Sequence, residues 1–213
     1  PPAIPVSAKL RLGWDTTEAI DDNASAAAEG GADWITIHAR TREQGYRPPV
    51  YWEPVARVVH KLGLPVVANG DIWTLDDALR CLDITGCQHL MLGRGALADP
   101  SLPHQVAHAL GLPSGETSDF CWLELFTRLA QWSSQVGETS ERGVLRKIKQ
   151  WGSIAHSRGN APWFEDLKRA ESLDEALRIV VEFDPRMTGV ASRLKEGPRI
   201  KAEPGARVEA YLP

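Results

Sequence analysis

Apolar and polar positions change rhythm partway along the chain. In the first half, short apolar runs alternate with longer amphipathic ones. Residues 4–12 alternate well enough for a strand that ends at Gly13-Trp14. An Ala-rich stretch over about 17–29 follows, with Asp15 as a plausible cap and Gly30-Gly31 as its stop, and predicts a helix. Trp34-Ile35-Thr36-Ile37-His38 is aromatic and β-branched, the composition of a strand. A polar loop leads to Pro54, well suited to the first turn of a helix ending near Gly63. Residues 64–68 predict a short buried strand, and Thr74-Leu75-Asp76-Asp77 resembles a capping box opening a helix to about Ile84. Residues 89–92 give a fourth strand, ending at Gly93-Arg94-Gly95. Four strands with connections long enough for crossovers imply parallel pairing in right-handed units, hence an α/β fold, doubly wound or part of a (β/α) barrel.

Beyond Pro113-Ser114-Gly115-Glu116-Thr117 the strand pattern disappears. Helical periodicity predicts helices over about 119–136, 140–157, 162–170 and 173–181, the last opened by Ser172-Leu173-Asp174-Glu175. The expected division is a partial barrel over 1–112, a linker over 113–118, a small helical domain over 119–182 and a loosely ordered tail over 183–213.

Charge sharpens that division. The whole chain of 213 residues has a formal net charge of −4, which argues against indiscriminate nucleic-acid affinity. Residues 140–213, however, carry 14 Lys/Arg against 11 Asp/Glu, and residues 1–139 carry 10 against 17. No uncharged apolar run reaches the roughly 18 residues of a membrane span. Cys81, Cys87 and Cys121 form neither a CxxC pair nor an even framework, which points to a reducing, cytoplasmic setting. The His residues show no metal-ligand spacing, so no metal site is expected. The opening Pro-Pro-Ala-Ile-Pro has neither an initiator Met nor a signal-peptide layout, and a chain cut upstream is the expectation.

The polar motifs fall just after strands, where both candidate architectures place function. Lys9 and Arg11 share one face of the first strand; they suit an electron-rich ring or a phosphate, or else reach solvent at an edge. His38 could bind a cofactor, move a proton or only satisfy a backbone carbonyl. The loop around Arg40 and Tyr46 mixes donors with an aromatic ring, as RNA contact or an ordinary solvated loop would. Asn69-Gly70-Asp71 and Gly93-Arg94-Gly95 suit close backbone approach to an anion, with Arg94 adding a charged donor; either alone is equally a turn. Residues 142–158 hold Arg142, Arg146, Lys147, Lys149 and Arg158 with no acid between them and with Trp151 and His156 interleaved. This is a phosphate-backbone footprint or a solvated basic face.

In order and spacing, KLRLGW (9–14), IHARTREQGY (37–46), PVVANGDI (65–72) and LMLGRGAL (90–97) resemble the tRNA-dihydrouridine synthases. RKIKQW (146–151) resembles the bacterial subfamily acting on uridine 16, and the likeness covers about residues 4–182. The resemblance implies the C-terminal half of a (β/α)8 TIM barrel followed by a small α-helical domain. It implies an oxidoreductase that uses FMN and NADPH to reduce a tRNA uridine to 5,6-dihydrouridine, as a cytoplasmic monomer when intact. By the same resemblance Lys9, His38, Asn69, Gly70, Asp71, Gly93 and Arg94 match cofactor-binding positions. Arg40, Tyr46, Arg146, Lys147 and Lys149 are the expected tRNA contacts. The family's proton-donating cysteine belongs to a loop upstream of Lys9, so this chain is expected to lack it and to show little activity alone. Two other readings stand beside this one: an FMN barrel oxidoreductase acting on a small molecule, and a non-catalytic RNA-binding remnant.

Overall fold

In the computed structural model, the structure describes residues 4–113, 120–135 and 140–183. The expected linker and tail fall outside them, apart from Pro113 and Phe183. The chain divides into two compact units: of the described residues, those up to Phe120 with Lys147–Phe164 form one, and those from Cys121 to Arg146 with Glu165 to Phe183 form the other. The first unit therefore takes in a segment that the sequence pattern assigns to the helical domain.

The first unit is α/β. Its elements are β1 (Ser7–Arg11), α1 (Ala19–Glu29), β2 (Trp34–His38), α2 (Glu53–Lys61), β3 (Val66–Asn69), α3 (Leu75–Thr85), β4 (His89–Met91), α4 (Arg94–Ala98) and α5 (Leu102–Ala109). All neighbouring strands pair in parallel, and the sheet order β1-β2-β3-β4 follows the chain without reversal. Local chemistry explains the boundaries. Pro54 sits in the first turn of α2, where its missing N–H leaves no bond unmade. Thr74 and Asp77 form the expected capping box at α3, and Gly86 ends that helix with φ 68°. Asp15 does not cap α1; Glu18 holds the cap position without a side-chain bond.

The two faces of the sheet differ. Ile35, Ile37, Val66 and Ala68 are buried among Ile20 and Ala24 of α1, Val55 and Val58 of α2, and Ala78 and Cys81 of α3. Register puts Ser7, Lys9 and Arg11 on the other face with Trp34, Thr36, His38, Val67, Asn69, His89 and Met91. There Ser7, Lys9, Trp34, His89 and Met91 remain exposed.

Helices α4 and α5 were not expected. Their sequence is short, rich in Ala and interrupted by Gly95 and Pro103, so periodicity has too few turns to register. Gly95 is required where it stands: a Cβ would lie 2.0 Å from the carbonyl oxygen of Ile72.

The remaining helices are α6 (Trp122–Gln135), α7 (Glu141–His156), α8 (Phe164–Leu167) and α9 (Leu173–Phe183). In the second unit α6 packs on α9, burying Leu123, Phe126, Ala176, Val180 and Val181. The N-terminus of α9 departs from a full capping box. Ser172 Oγ accepts from Glu175 N–H, but the Glu175 carboxylate accepts from Glu171 N–H, one residue earlier than the box requires. From Lys147 on, α7 belongs with the first unit, where Ile148 and Ala155 are buried.

Candidate functional site

Parallel strands in one sheet deliver all their C-terminal ends to the same edge. At that edge lies a cavity of about 610 Å³, within the usual range for small-ligand pockets. Lys9, His38, Tyr46, Asn69, Gly70, Asp71, Gly93 and Arg94 all line it, so eight expected site residues from four strand ends meet in one place. Arg11 and Trp73 complete the polar and aromatic lining.

Each position has a local cause. Lys9 Nζ donates to Asn69 Oδ1 at 3.2 Å, and Asn69 Nδ2 donates to the Met91 carbonyl at 2.7 Å. One amide thus ties three strand ends together. Gly70 follows with φ 129°, a conformation L side chains rarely adopt, and its carbonyl accepts from the buried Trp52 indole at 3.2 Å. Arg11 Nη1 donates to the carbonyls of Thr41 and Gly45 at 2.9 and 3.0 Å. That pair of bonds holds the β2–α2 loop, so Tyr46 stands at the cavity with its ring centre 5.9 Å from that of His38.

Arg40 corrects an expectation. The chain turns tightly after β2, with Arg40 N–H donating to the His38 carbonyl at 2.7 Å, and the side chain goes inward. It is 0% exposed and forms a bidentate pair with Asp71, while Nε donates to the Arg47 carbonyl at 2.7 Å. A guanidinium so enclosed cannot meet RNA; it anchors Asp71. Asp71 likewise cannot offer its carboxylate to an anionic ligand. Burial pushes that carboxyl up, but hydrogen bonds and charge from Arg40, then Arg94 and Trp73, outweigh burial and hold it below its usual range. Arg94 reaches Asp71 at only 3.4 Å and is 41% exposed, which leaves donors for a ligand.

His38 is buried, and its pKa falls to about 4, from desolvation first and then the positive charges of Arg11, Lys9 and Arg40. The ring is therefore neutral at pH 7. Partial desolvation, with Arg11 beside it, also lowers Lys9 from its usual value. Cys81 and Cys87 are buried beneath the sheet, and burial pushes the Cys81 thiol up to about 12. Among the described residues no cysteine lines the cavity.

The expected RNA contacts of α7 separate. Arg146, exposed, belongs to the second unit; Lys147, exposed, and Lys149, half-buried, belong to the first. Two interleaved aromatic groups have structural tasks: Trp151 Nε1 donates to the Leu97 carbonyl at 2.6 Å, and His156 Nδ1 lies 3.1 Å from the Ala161 carbonyl. The sequence pattern does not single out Trp73, which falls between a strand-end motif and a capping box, although the run Gly70-Asp71-Ile72-Trp73 carries it directly to the cavity. Among the described residues, no helix is long and apolar enough to cross a membrane.

The profile of the dihydrouridine synthase (Dus) family matches residues 2–184. The chain is 45% identical over 152 residues to a tRNA-dihydrouridine(16) synthase of Aquipseudomonas alcaligenes, covering 71% of this chain and 48% of that protein. To the tRNA-dihydrouridine(16) synthase of Pseudomonas putida it is 40% identical over 199 residues, covering 92% of this chain and 58% of that protein. A synthase of the same name from Neisseria meningitidis serogroup B is 34% identical over 194 residues, covering 88% and 57%. The chain thus spans about half the length of the curated relatives it matches. With the family profile running through both compact units, the chain belongs to the dihydrouridine synthase family.

Proposed function

We propose that this chain is the C-terminal half of an FMN-dependent enzyme that reduces a uridine of tRNA to 5,6-dihydrouridine at the expense of NADPH. The observation that carries this reading is the meeting of Lys9, His38, Asn69, Gly93 and Arg94 in one cavity at the strand ends. Uridine 16 is the proposed target, on the strength of the similarity to synthases named for that position. A monomeric, cytoplasmic enzyme is part of the same proposal.

The architecture supports the reading. A doubly wound sheet reverses its strand order at a switch point, and this sheet does not. Parallel sheets have both faces covered, yet one face here still exposes Lys9, Trp34, His89 and Met91. Four strands of an eight-stranded barrel account for both facts, because the missing cover is then the opposite wall.

The residues present fit FMN. Its phosphate needs cations and N–H donors, and the cavity offers Arg94 and the Gly93-Arg94-Gly95 backbone while its one carboxylate is committed to Arg40. A Cβ at Gly93 would meet no protein atom within 4 Å, so that turn leaves room for a ligand. When bound, FMN supplies hydride chemistry, replenished by NADPH. Arg94 would hold the phosphate, and Lys9, fixed by Asn69, would place a cation beside the flavin ring. His38 would donate or accept a hydrogen bond as a neutral ring. The proton donor is proposed to be a cysteine outside this chain, which accords with the buried, unreactive state of Cys81 and Cys87. Exposed Arg146 and Lys147, with Lys149 and Tyr46, are the proposed RNA contacts.

The test is a chimaera. This chain replaces the matching segment of the Pseudomonas putida relative, and dihydrouridine is measured in tRNA from cells lacking their own synthases. The expected result is dihydrouridine with the chimaera and none with its Lys9→Met variant. A stable, flavin-loaded chimaera that forms none would overturn the proposal.

A further inference from the structure

Arg94 is embedded in a series of stacked groups. Its guanidinium carbon lies 4.9 Å from the Tyr46 ring centre and 5.0 Å from the Trp73 ring centre. Arg11 approaches the Tyr46 ring at 5.4 Å, and Arg158 approaches the Trp73 ring at 3.8 Å. Cation and ring therefore alternate through five side chains: Arg11, Tyr46, Arg94, Trp73 and Arg158. Four of them line the cavity, and Arg158 joins from the turn after α7.

The same segment also holds the other end of α4. The last carbonyls of a helix have no partner within it. At α4 those of Leu97 and Ala98 accept from Trp151 Nε1 at 2.6 Å and Asn160 Nδ2 at 3.0 Å. Thus α4 is braced at its C-terminal end by Trp151 and Asn160, while the arginine at its start is braced through Trp73 by Arg158. The other contacts of the Arg94 guanidinium are the Tyr46 ring, at 4.9 Å, and Asp71, at 3.4 Å and already committed to Arg40.

We propose that Trp73 and Arg158 are positioning residues for Arg94, and that they set the preference of the cavity for a phosphorylated over an unphosphorylated flavin. This rests on the reading of the cavity as a flavin site. A long arginine side chain left to sample its rotamers gives up part of any gain from binding a phosphate; one held against a ring gives up less. Arg158 presses on the far member of the series and keeps the Trp73 ring where Arg94 meets it. A phosphate dianion would also relieve the crowding of Arg11, Arg94 and Arg158 along the series.

The experiment titrates FMN and riboflavin separately into the flavin-stripped chimaera described above, following flavin fluorescence, for the chimaera carrying the wild-type segment and for its Arg158→Ala, Trp73→Leu and Trp73→Phe variants. Riboflavin lacks only the phosphate, so it reports general damage to the pocket. Arg158→Ala and Trp73→Leu are expected to weaken FMN about five- to tenfold, the scale of a cation–π contact, with riboflavin changed by less than about twofold. Trp73→Phe keeps a ring and is expected to retain most of the FMN affinity. Because Arg158 is exposed, its variant remains informative even if Trp73→Leu does not fold. Equal losses for the two flavins, or unchanged FMN affinity in Arg158→Ala, would overturn the positioning role alone. A folded chimaera with the wild-type segment that binds neither flavin would overturn the flavin reading and this inference with it.

Discussion

Asp71→Asn tests the ion pair of the fully enclosed Arg40. Arg40 is 0% exposed and has Asp71 as its bidentate partner, whereas the Asp71 side chain is 21% exposed and also receives Arg94. Removing the carboxylate charge leaves a buried guanidinium without its counter-ion, a change that costs about 3–5 kcal/mol when both partners are fully enclosed. Partial exposure of Asp71 admits some water, so the expected loss is near the lower end, about 3 kcal/mol. With a urea slope of about 2 kcal/mol per molar, the unfolding midpoint should fall by about 1.5 M at pH 7. Replacing both partners, as Arg40→Met with Asp71→Leu, removes the stranded charge and should recover part of the loss. The assay is urea unfolding followed by far-UV circular dichroism, comparing midpoints at unchanged slope. A midpoint for Asp71→Asn within about 0.3 M of wild type would refute the assignment of Arg40 as a buried charge dependent on Asp71.

Other consequences are independent of that pair. His38 binds a proton at about pH 4 when folded and near 6.5 when unfolded, so its contribution is complete above pH 6.5 and is lost as pH falls towards 4. Between pH 8 and pH 5 the loss should be about 2 kcal/mol, and His38→Gln should flatten that part of the stability profile; an unchanged profile would count against a neutral buried ring. Gly95→Ala brings a Cβ within 2.0 Å of a backbone oxygen and should destabilise by about 3 kcal/mol, the upper part of the overpacking range, read as a lowered urea midpoint. For RNA binding, Arg146→Ala should reduce the slope of log affinity against log salt by about 0.7–0.9, whereas Arg158→Ala should leave it unchanged. Equal reductions would show that Arg158 meets RNA rather than Trp73.

The strands were legible because β-branched residues and strand-end glycines punctuate the first half, and the convergence of motifs followed from parallel pairing alone. Sequence alone places Lys9, His38, Asn69 and Arg94 towards one edge, since Lys9 lies near the end of its strand and the other three end or follow theirs. Arg40 could not. Its neighbours suggest a solvated polar loop, and only the tight turn after His38, with a carboxylate waiting at the end of the next strand, sends it inward. Helices α4 and α5 were hidden for a different reason. Gly95 serves close packing against Ile72, and the glycine that makes this possible also reads as the end of an element.

The basic stripe of residues 142–158 shows how one pattern can hold two kinds of residue. Composition treats Arg142, Arg146, Lys147, Lys149 and Arg158 as equivalent, because each is a cation on or after one helix. The structure separates them by what their neighbours do. Arg158 stacks on Trp73, and Trp151 and Asn160 from the same stretch close the end of α4, so this part of the segment supports elements that line the cavity. The compact unit that owns the sheet accordingly claims Lys147–Phe164, although the periodicity of that segment is helical throughout α7. Within the unit that holds the sheet, Trp151 and Asn160 thus brace the C-terminal end of the helix that carries Arg94. On this reading, Arg146 and Lys147 are where recognition of RNA is sought, and Arg158 is where affinity for the phosphate of the cofactor is sought.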